Sequence, residues 1–294
     1  MGRTKALAGL ILLVLGGCGR TGGRQAIRIG SKNFTEQVIL GEIIAQHVEH
    51  RLHLPVDRRL NLGGTLLAHQ ALRTGEIDLY PEYTGTALAA ILKESAGGAP
   101  GDVLARVRAA YLRDFQIEWL DPLGIDNTFA MVIRGADSRN KHLETLSQAA
   151  QAADPWTLGV GYEFEQRADG LPALDKTYGF RWNGRPRSMD LGLLYKALEQ
   201  GQVTMIAANA TDGLLSKLDL KMLLDDKHAF PPYEVAIAVR QDSMRRIPGL
   251  REALLELSGK FTNSKMQTLN YKVDGEHRAV AEVASEFLKA SGLR

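Results

Sequence analysis

The sequence predicts an α/β protein with two lobes, and three observations support this prediction. Residues 27–50 have the pattern of a strand, a polar turn and a helix. Residues 71–80 align without gaps on residues 197–206, and in both segments a helix is followed by a glycine, a strand and a polar turn. The chain has 294 residues, of which 45% are hydrophobic and 24% charged, and this is enough for two lobes with a proper core.

The first unit begins with the alternating run IRI at 27–29, which predicts a strand, and the polar turn GSKN follows at 30–33. Apolar residues at every fourth position from 40 to 48 predict a helix. Asn33 followed by Glu36 has the spacing of a capping box at its start. Such a point presents free backbone N–H groups and polar side chains together, which suits a small polar or anionic ligand. An ordinary strand-to-helix connection without a ligand remains the alternative.

The rest of the chain repeats this alternation of strands, polar turns and helices. Pro81 to Gly85 is expected to stop one strand, and Gly75 to cap a helix. Further strands are predicted at 56–60, 77–80, 128–133, 156–160, 203–207 and 235–239. Further helices are predicted at 65–73, 87–93, 103–113, 191–199, 250–259 and 276–290, with one more after the turn 211–213.

The internal repeat sets Tyr83 against Asn209, and a weaker match places Lys32 and Arg167 in comparable turns. In open α/β sheets, ligands bind at strand ends, and a cleft lies between two such lobes. The repeat therefore predicts a binding cleft, although helix, glycine and strand also follow one another in many α/β proteins that lack this site.

The N-terminus predicts export. Arg3 and Lys5 precede the apolar run 6–14, and LGGC at 15–18 resembles a bacterial lipobox. We expect residues 1–18 to be a signal peptide, Cys18 to be lipidated and residues 19–24 to be a tether. Cys18 is the only cysteine, so an intramolecular disulfide is excluded. A signal peptide with a coincidental cysteine is the alternative.

Composition and motifs favour binding over catalysis. The net charge of +2 is dispersed, which indicates no nucleic-acid partner. No GxSxG, P-loop, HExxH or CxxC pattern occurs, and the acidic residues form no convincing acid–base pair. His47, His50 and His53 recur every three residues, but their context indicates a helix end rather than a metal site. We expect no metal and no organic cofactor.

Several segments resemble one known family in content and order. They are GSKNFTEQVILGE, LGGT, GEIDLYPEYTGT, DPLGIDNTFA, TYG, MDLGLLYKAL, TDG, DDKHAFPPYE, LSGK and LNYKVD. The chain resembles the substrate-binding lipoproteins of osmoprotectant ABC importers, which capture glycine betaine, choline or related compounds. The resemblance covers essentially all of the mature chain.

The resemblance implies an α/β, two-lobed periplasmic-binding-protein fold of type II-like architecture, with a ligand cleft between lobes joined by two hinge crossovers. One lobe would comprise residues 25–126 and 231–294, and the other residues 127–230. The resemblance also implies a monomeric protein in the periplasm or on the outer face of the cytoplasmic membrane. Its partners would be a small betaine- or choline-type ligand and an ABC permease with a cytoplasmic ATPase.

The resemblance further implies an aromatic cage, because a quaternary ammonium cannot donate hydrogen bonds but is attracted to aromatic faces. Tyr83 and Tyr233 match two cage tyrosines. At the third cage position Phe129 keeps an aromatic ring, and at the fourth Asn209 has no ring. Losing one wall, at about 0.5–2 kcal/mol per contact, would weaken quaternary ammonium binding by about one order of magnitude. The positions that hold the ligand carboxylate correspond to Lys32, Thr86 and Arg167 with Ser31 adjacent, and Asn127 matches a polar position at the ligand's other end.

Other interpretations of these residues and of the ligand stay open. The tyrosines and Phe129 could be core aromatics, Lys32 and Arg167 solvated charges, and Thr86 or Asn209 helix caps. A zwitterion with more polar groups, such as an ergothioneine-like betaine, is an alternative ligand, since Asn209 offers both a donor and an acceptor. A ligand-sensing subunit and an enzymatic surface lipoprotein are the remaining alternatives.

Overall fold

The computed structural model describes residues 26–95 and 97–294. The predicted signal peptide, the lipidated Cys18 and the tether lie outside the described residues. Within those residues, no helix has both the length and the apolar character needed to cross a membrane.

The described chain forms two five-stranded sheets flanked by helices. The first sheet has the order β2-β1-β3-β10-β4, and the second the order β7-β6-β8-β5-β9. The strands of the first sheet are β1 (Ile27–Gly30), β2 (Val56–Arg59), β3 (Leu79–Tyr83), β4 (Ile117–Trp119) and β10 (Val235–Arg240). Those of the second are β5 (Phe129–Arg134), β6 (Leu158–Val160), β7 (Arg187–Ser188), β8 (Met205–Asn209) and β9 (Leu220–Met222).

The two sheets have equivalent topologies. In the first, β1 pairs in parallel with β2 and β3, and β10 runs antiparallel between β3 and β4. In the second, β6 pairs in parallel with β7 and β8, and β5 runs antiparallel between β8 and β9. The internal repeat corresponds to this architecture, because β3 and β8 occupy equivalent places in the two sheets.

The chain crosses between the sheets twice, after β4 and before β10, and the two crossing segments lie side by side. The backbone N–H of Asn127 donates to the carbonyl of Tyr233 at 3.2 Å, and that of Val235 to the carbonyl of Ile125 at 2.9 Å. An antiparallel bridge joins Asp126 to Glu234 between them. This paired crossing lies at the base of the cleft and contributes two of the predicted site residues.

Helices cover both sheets. On the first sheet lie α1 (Thr35–Leu52), α2 (Thr65–Thr74), a short turn α3 (Thr84–Thr86) continued by a π-helix (Ala87–Leu92), and α4 (Pro100–Phe115). The second carries α5 (Gly135–Lys141), α6 (Leu146–Ala150), α7 (Tyr162–Gln166), α8 (Leu171–Tyr178), α9 (Leu191–Glu199) and a 3₁₀ turn (Gly213–Ser216). The chain ends with α10 (Gln241–Arg246), α11 (Leu250–Leu255), α12 (Asn263–Asp274) and α13 (Val280–Ala290).

Helix α1 is largely buried. Its residues Ile39, Leu40, Ile43, Ile44 and Val48 are fully buried. The first sheet covers one side of the helix, and α11, α12 and α13 pack against the others. This packing fixes the N-terminus of α1, and the polar turn before it, at the edge of the cleft.

The predicted capping box at the start of α1 is wrong. Phe34, not Asn33, occupies the N-cap position, and no side chain caps the helix there. Glu36 does not turn back to the helix end because its carboxyl accepts hydrogen bonds from Tyr83 and Asn127, at 2.7 and 2.9 Å, and from Thr211. These three donors outcompete the local backbone for the same carboxyl.

Two strands, β3 and β8, begin two residues later than predicted, for one shared reason. The backbone N–H of Ile77 donates to the carbonyl of Ala71 at 3.2 Å, and that of Val203 to Ala197 at 3.3 Å. Each apolar residue therefore closes the end of the preceding helix and does not join the sheet. The expected stop at Pro81 is wrong, because β3 continues to Tyr83. On one side, β1 pairs with β3 only at Leu79, and on the other side β10 pairs with β3 from Leu79 to Tyr83.

Other differences concern short or polar elements. The helix predicted after residues 211–213 is only a 3₁₀ turn, the helix predicted at 250–259 ends at Leu255, and the one predicted at 276–290 begins at Val280. The residue pattern did not predict β4, β7 and β9, which have two or three residues each, or the polar helix α12. Their apolar periodicity is too short or too weak to signal a regular element.

Candidate functional site

A cavity of about 310 Å³ lies between the two sheets. The structure places most of the predicted site residues on its wall, namely Lys32, Tyr83, Thr86, Asn127, Phe129, Arg167, Asn209 and Tyr233. Ser31 is absent from this wall. Its hydroxyl donates to the carbonyl of Lys32 and accepts from the backbone N–H of Asn61, both at 2.9 Å, so it shapes the turn after β1.

Aromatic rings form much of the cavity wall. The Tyr83 ring stacks on Phe34 with centroids 6.1 Å apart. Across the cleft, Phe129 at the start of β5 packs edge-on against Tyr233 at 5.4 Å and Phe164 at 4.9 Å. Rings from both sheets and from the second crossing therefore present apolar, electron-rich surfaces to one space.

Buried carboxyls hold the hydroxyls of both tyrosines. Tyr83 donates to Glu36 and Tyr233 donates to Asp169, both at 2.7 Å. Burial raises the pKa of each tyrosine well above its usual value, and the adjacent carboxyl raises it further. The hydroxyls stay protonated and committed to these partners, so the ring faces are what the tyrosines offer to a ligand.

The first of two cations in the cavity wall comes from the turn after β1. The side chain of Lys32 is only 3% exposed, and its Nζ lies 2.5 Å from Glu82 Oε1 and 4.6 Å from the centre of the Tyr83 ring. Glu82 also accepts a hydrogen bond from Tyr80 at 2.8 Å. The ammonium is thus fixed beside the aromatic wall by a buried carboxylate.

The second cation is Arg167, which follows α7. Its guanidinium donates twice to Asp169, at 2.9 and 2.5 Å, and once to Thr86 Oγ1 at 3.1 Å. Burial opposes its charge, but the hydrogen bonds and charge of Asp169 raise the pKa of Arg167 above its usual value. The guanidinium carbon lies 5.2 Å from the Phe129 ring and 5.8 Å from the Tyr233 ring. Arg167 therefore spans from the aromatic wall to the opposite lobe.

The charges that line the cavity balance. Lys32 and Arg167 supply the positive charges, and Glu163 and Asp190 supply the negative ones. A cavity with equal numbers of both signs and large aromatic walls suits a zwitterion better than a simple anion or cation.

Glu163 joins the two sides of the cleft directly. Its carboxylate accepts from the backbone N–H of Thr65 at 2.6 Å and from the Thr65 hydroxyl at 3.0 Å. Burial would raise the pKa of Glu163, but the Lys32 charge and the Thr65 hydrogen bonds lower it, so the group is an anion. A Cβ at Gly64 would lie 2.4 Å from Glu163 Oε1, so a larger residue there would require this carboxylate to shift.

A polar network at the base of the cleft involves Asn127 and Asn209. Asn127 donates to Glu36 at 2.9 Å and accepts from the backbone N–H of Thr211 at 3.2 Å. Asn209 is the cross-strand partner of Phe129, which places both side chains on one face of the sheet. The backbone N–H of Asn209 donates to Asp212 Oδ2 at 3.1 Å.

Several residues of the cavity wall were not predicted from the sequence, among them Phe34, Glu163, Phe164 and Asp190. Phe34 directly follows the polar turn that contains Lys32, and Glu163 and Phe164 belong to the segment YEFEQR, which ends with Arg167. An aromatic residue beside a predicted ligand-binding cation was the available signal. No sequence signal identified Glu36 and Asp169 as the hydrogen-bond partners of the two tyrosines.

Two α/β lobes facing a shared cavity define the class of two-lobed solute-binding proteins. The family model described as "Substrate binding domain of ABC-type glycine betaine transport system" matches residues 25–290, and the chain belongs to this family. The resemblance noted from the sequence is thereby confirmed.

Known proteins agree with this assignment. The chain is 33% identical over 268 residues to the carnitine transport binding protein OpuCC of Listeria monocytogenes, covering 90% of this chain and 87% of that protein. It is also 33% identical over 266 residues to the ergothioneine transport permease/ergothioneine binding protein EgtU of Helicobacter pylori, covering 90% of this chain and 47% of that protein. A crystal structure described as a glycine betaine/carnitine/choline ABC transporter superposes with a TM-score of 0.76 at 32% identity, covering 91% of this chain and 99% of that one. The predicted two-lobed fold is confirmed by this likeness.

Proposed function

We propose that this chain is the extracytoplasmic receptor of an ABC importer and that its cavity binds a betaine, such as glycine betaine or carnitine, for delivery to the permease. The observation that carries the proposal is the meeting of aromatic walls and balanced charges in one cavity between two lobes. A zwitterion with a quaternary ammonium matches both features.

In this proposal the quaternary ammonium rests against Tyr83, Phe129 and Tyr233, because methyl groups bury well on rings and the cation is attracted to their faces. The ligand carboxylate lies toward Lys32 and Arg167. Asp169 and Thr86 take the Nε and Nη2 donors of Arg167, so Nη1 would face the ligand carboxylate, whereas Lys32 supplies a point charge. The Thr86 hydroxyl holds Arg167 at this end.

The two lobes would comprise residues 25–126 with 231–294, and residues 127–230. Support comes from the paired crossing at Asn127 and Tyr233, where a hinge motion would leave each sheet intact. The contact between Glu163 and Thr65 would form on closure and break on release. Lipidation at Cys18 would tether a monomer to the membrane surface, and the function requires neither catalysis nor a cofactor.

Calorimetric titration of the full-length chain with glycine betaine, carnitine, choline, proline betaine and ergothioneine tests the proposal. We expect micromolar or tighter binding of a quaternary amine. Tyr233→Leu, which removes the ring, should weaken binding by about tenfold, whereas the control Tyr233→Phe, which keeps it, should stay within a few-fold of wild type. A folded protein that binds none of these compounds would contradict the proposal.

Asn209 favours a second candidate, a betaine with additional polar groups of the ergothioneine type. At this position the side chain offers a donor and an acceptor in place of an aromatic wall. Ergothioneine binding stronger than glycine betaine binding in the same titration would select this candidate.

A further inference from the structure

One buried carboxylate, that of Asp169, contacts two groups of the proposed binding site. Its Oδ1 accepts a hydrogen bond from Arg167 Nε at 2.9 Å, and its Oδ2 accepts one from Arg167 Nη2 at 2.5 Å. The same Oδ2 accepts from the Tyr233 hydroxyl at 2.7 Å. Asp169 therefore joins a cation of the cavity wall to a ring of the aromatic wall.

The three side chains of this arrangement are largely removed from water. Asp169 is 7% exposed, Tyr233 is 2% exposed, and the side chain of Arg167 is 12% exposed. Breaking one of these hydrogen bonds would be costly, because a buried carboxylate or hydroxyl would lose its partner. The cation and the ring are therefore held in one relative position, with the guanidinium carbon 5.8 Å from the centre of the Tyr233 ring.

A backbone turn at 167–170 directs Asp169 back onto Arg167. The N–H of Gly170 donates to the carbonyl of Arg167 at 3.0 Å, which closes the turn. A Cβ at Gly170 would collide with the carbonyl oxygen of Phe164, so the close approach of these two backbone segments requires glycine. The backbone thus fixes the place of Asp169 in addition to its side-chain contacts.

Asp169 also determines which donor of Arg167 is left for a ligand. Asp169 occupies Nε and Nη2, and the Thr86 hydroxyl accepts from the same Nη2 at 3.1 Å. The remaining Nη1 lies 3.5 Å from the carboxylate of Glu163, which lines the cavity. A planar guanidinium that is held along one edge presents its other donor in a fixed direction. The position of the ligand carboxylate relative to the aromatic wall therefore depends on Asp169.

We propose that Asp169 is a positioning residue that determines which spacing between ammonium and carboxylate groups the site prefers. The inference rests on the proposed function, in which Tyr233 contacts the ammonium and Arg167 the carboxylate. A betaine whose spacer matches the fixed distance makes both contacts without strain. A spacer that is too short or too long loses one contact or has to bend. A change at Asp169 should thus alter the affinities for different betaines unequally.

The test compares three trimethylammonium carboxylates that differ only in spacer length, namely glycine betaine, β-alanine betaine and γ-butyrobetaine. Calorimetric titration of the full-length chain gives the Kd of each. We expect the wild type to bind its preferred compound about tenfold or more tightly than the least favoured one. Asp169→Asn leaves one acceptor oxygen for the donors of Arg167 and Tyr233, and should reduce this ratio to about threefold or less.

Two further variants complete the test. Asp114→Asn is the matched control, because Asp114 accepts from Nε and Nη2 of Arg113 at 2.7 and 2.6 Å in the same manner, but at the exposed end of α4. This control should preserve the ratio. Asp169→Glu keeps the charge and both acceptor oxygens but lengthens the side chain by one methylene group. It should also change the ratio, and it tests the inference even if the asparagine variant does not fold.

A positioning residue and a purely structural one give different results. If the variants at Asp169 weaken the binding of all three betaines by the same factor, the residue only supports the fold and the inference is overturned. A wild type that binds the three compounds equally, or a control that changes the ratio as much, also overturns the inference while the proposed function stands. If the wild type binds no betaine, the proposed function fails and the inference falls with it.

Discussion

Replacing Asn209 with tyrosine should convert the site into a tighter receptor for small betaines. Asn209 is the cross-strand partner of Phe129 and lies between the binding cavity and an adjoining one, so a ring there has space beside the aromatic wall. The backbone hydrogen bond to Asp212 at 3.1 Å survives the change, and only the 3.4 Å side-chain contact is lost. The folded structure should therefore tolerate the substitution.

The expected gain follows from one added cation–π contact. At about 0.5–2 kcal/mol, the Kd for glycine betaine should fall by about 2- to 30-fold. Asn209→Leu is the control, because it fills space without an aromatic face. Calorimetric titration of both variants with glycine betaine is the assay. Unchanged affinity in the tyrosine variant, or equal tightening by leucine, would refute the position of Asn209 beside the quaternary ammonium.

Two further predictions concern the cage and the core. A Cβ at Gly85 would lie 2.6 Å from the carbonyl of Pro232 and 2.9 Å from the Tyr233 ring, so Gly85→Ala should displace the ring and weaken betaine binding by about tenfold. The control Gly101→Ala, whose Cβ meets nothing within 4 Å, should bind normally in the same titration. Burial lowers the pKa of His69 from 6.5 to about 4, and neither ring nitrogen has a partner among the described residues. Because the unfolded chain takes up the proton first, the free energy of unfolding should decline by about 2 kcal/mol as the pH falls from 6.5 to 4. His69→Leu should remove this part of the decline in urea unfolding experiments, and an unchanged pH dependence would contradict the role of His69.

The architecture was largely predictable from local sequence. The repeat at 71–80 and 197–206 reflects two sheets of equivalent topology, and its alignment pairs β3 with β8. Strand positions were less predictable, because tertiary contacts decide whether an apolar residue such as Ile77 closes a helix or joins a sheet. Short edge strands with charged residues, such as β7 and β9, obtain their structure from neighbouring strands and not from their own periodicity.

The internal repeat placed Lys32, Arg167, Tyr83 and Asn209 at strand ends, and the family resemblance added the other site residues, Tyr233 among them. Lys32, Tyr83, Arg167 and Tyr233 all lie on one cavity wall, although their roles in binding stay predictions. Their supporting carboxyls were not predictable. Glu163 meets Thr65 from 98 residues away, and such partners depend on how the lobes face one another.

The central claim is that the cavity recognises the positive charge of a quaternary ammonium by its aromatic walls. The most direct test compares glycine betaine with 3,3-dimethylbutanoate, which has the same shape and carboxylate but a carbon in place of the charged nitrogen. We expect calorimetry to detect glycine betaine binding and the carbon analogue to bind at least about tenfold more weakly. Equal binding of the two would mean that the rings act only as an apolar surface, and would contradict the account.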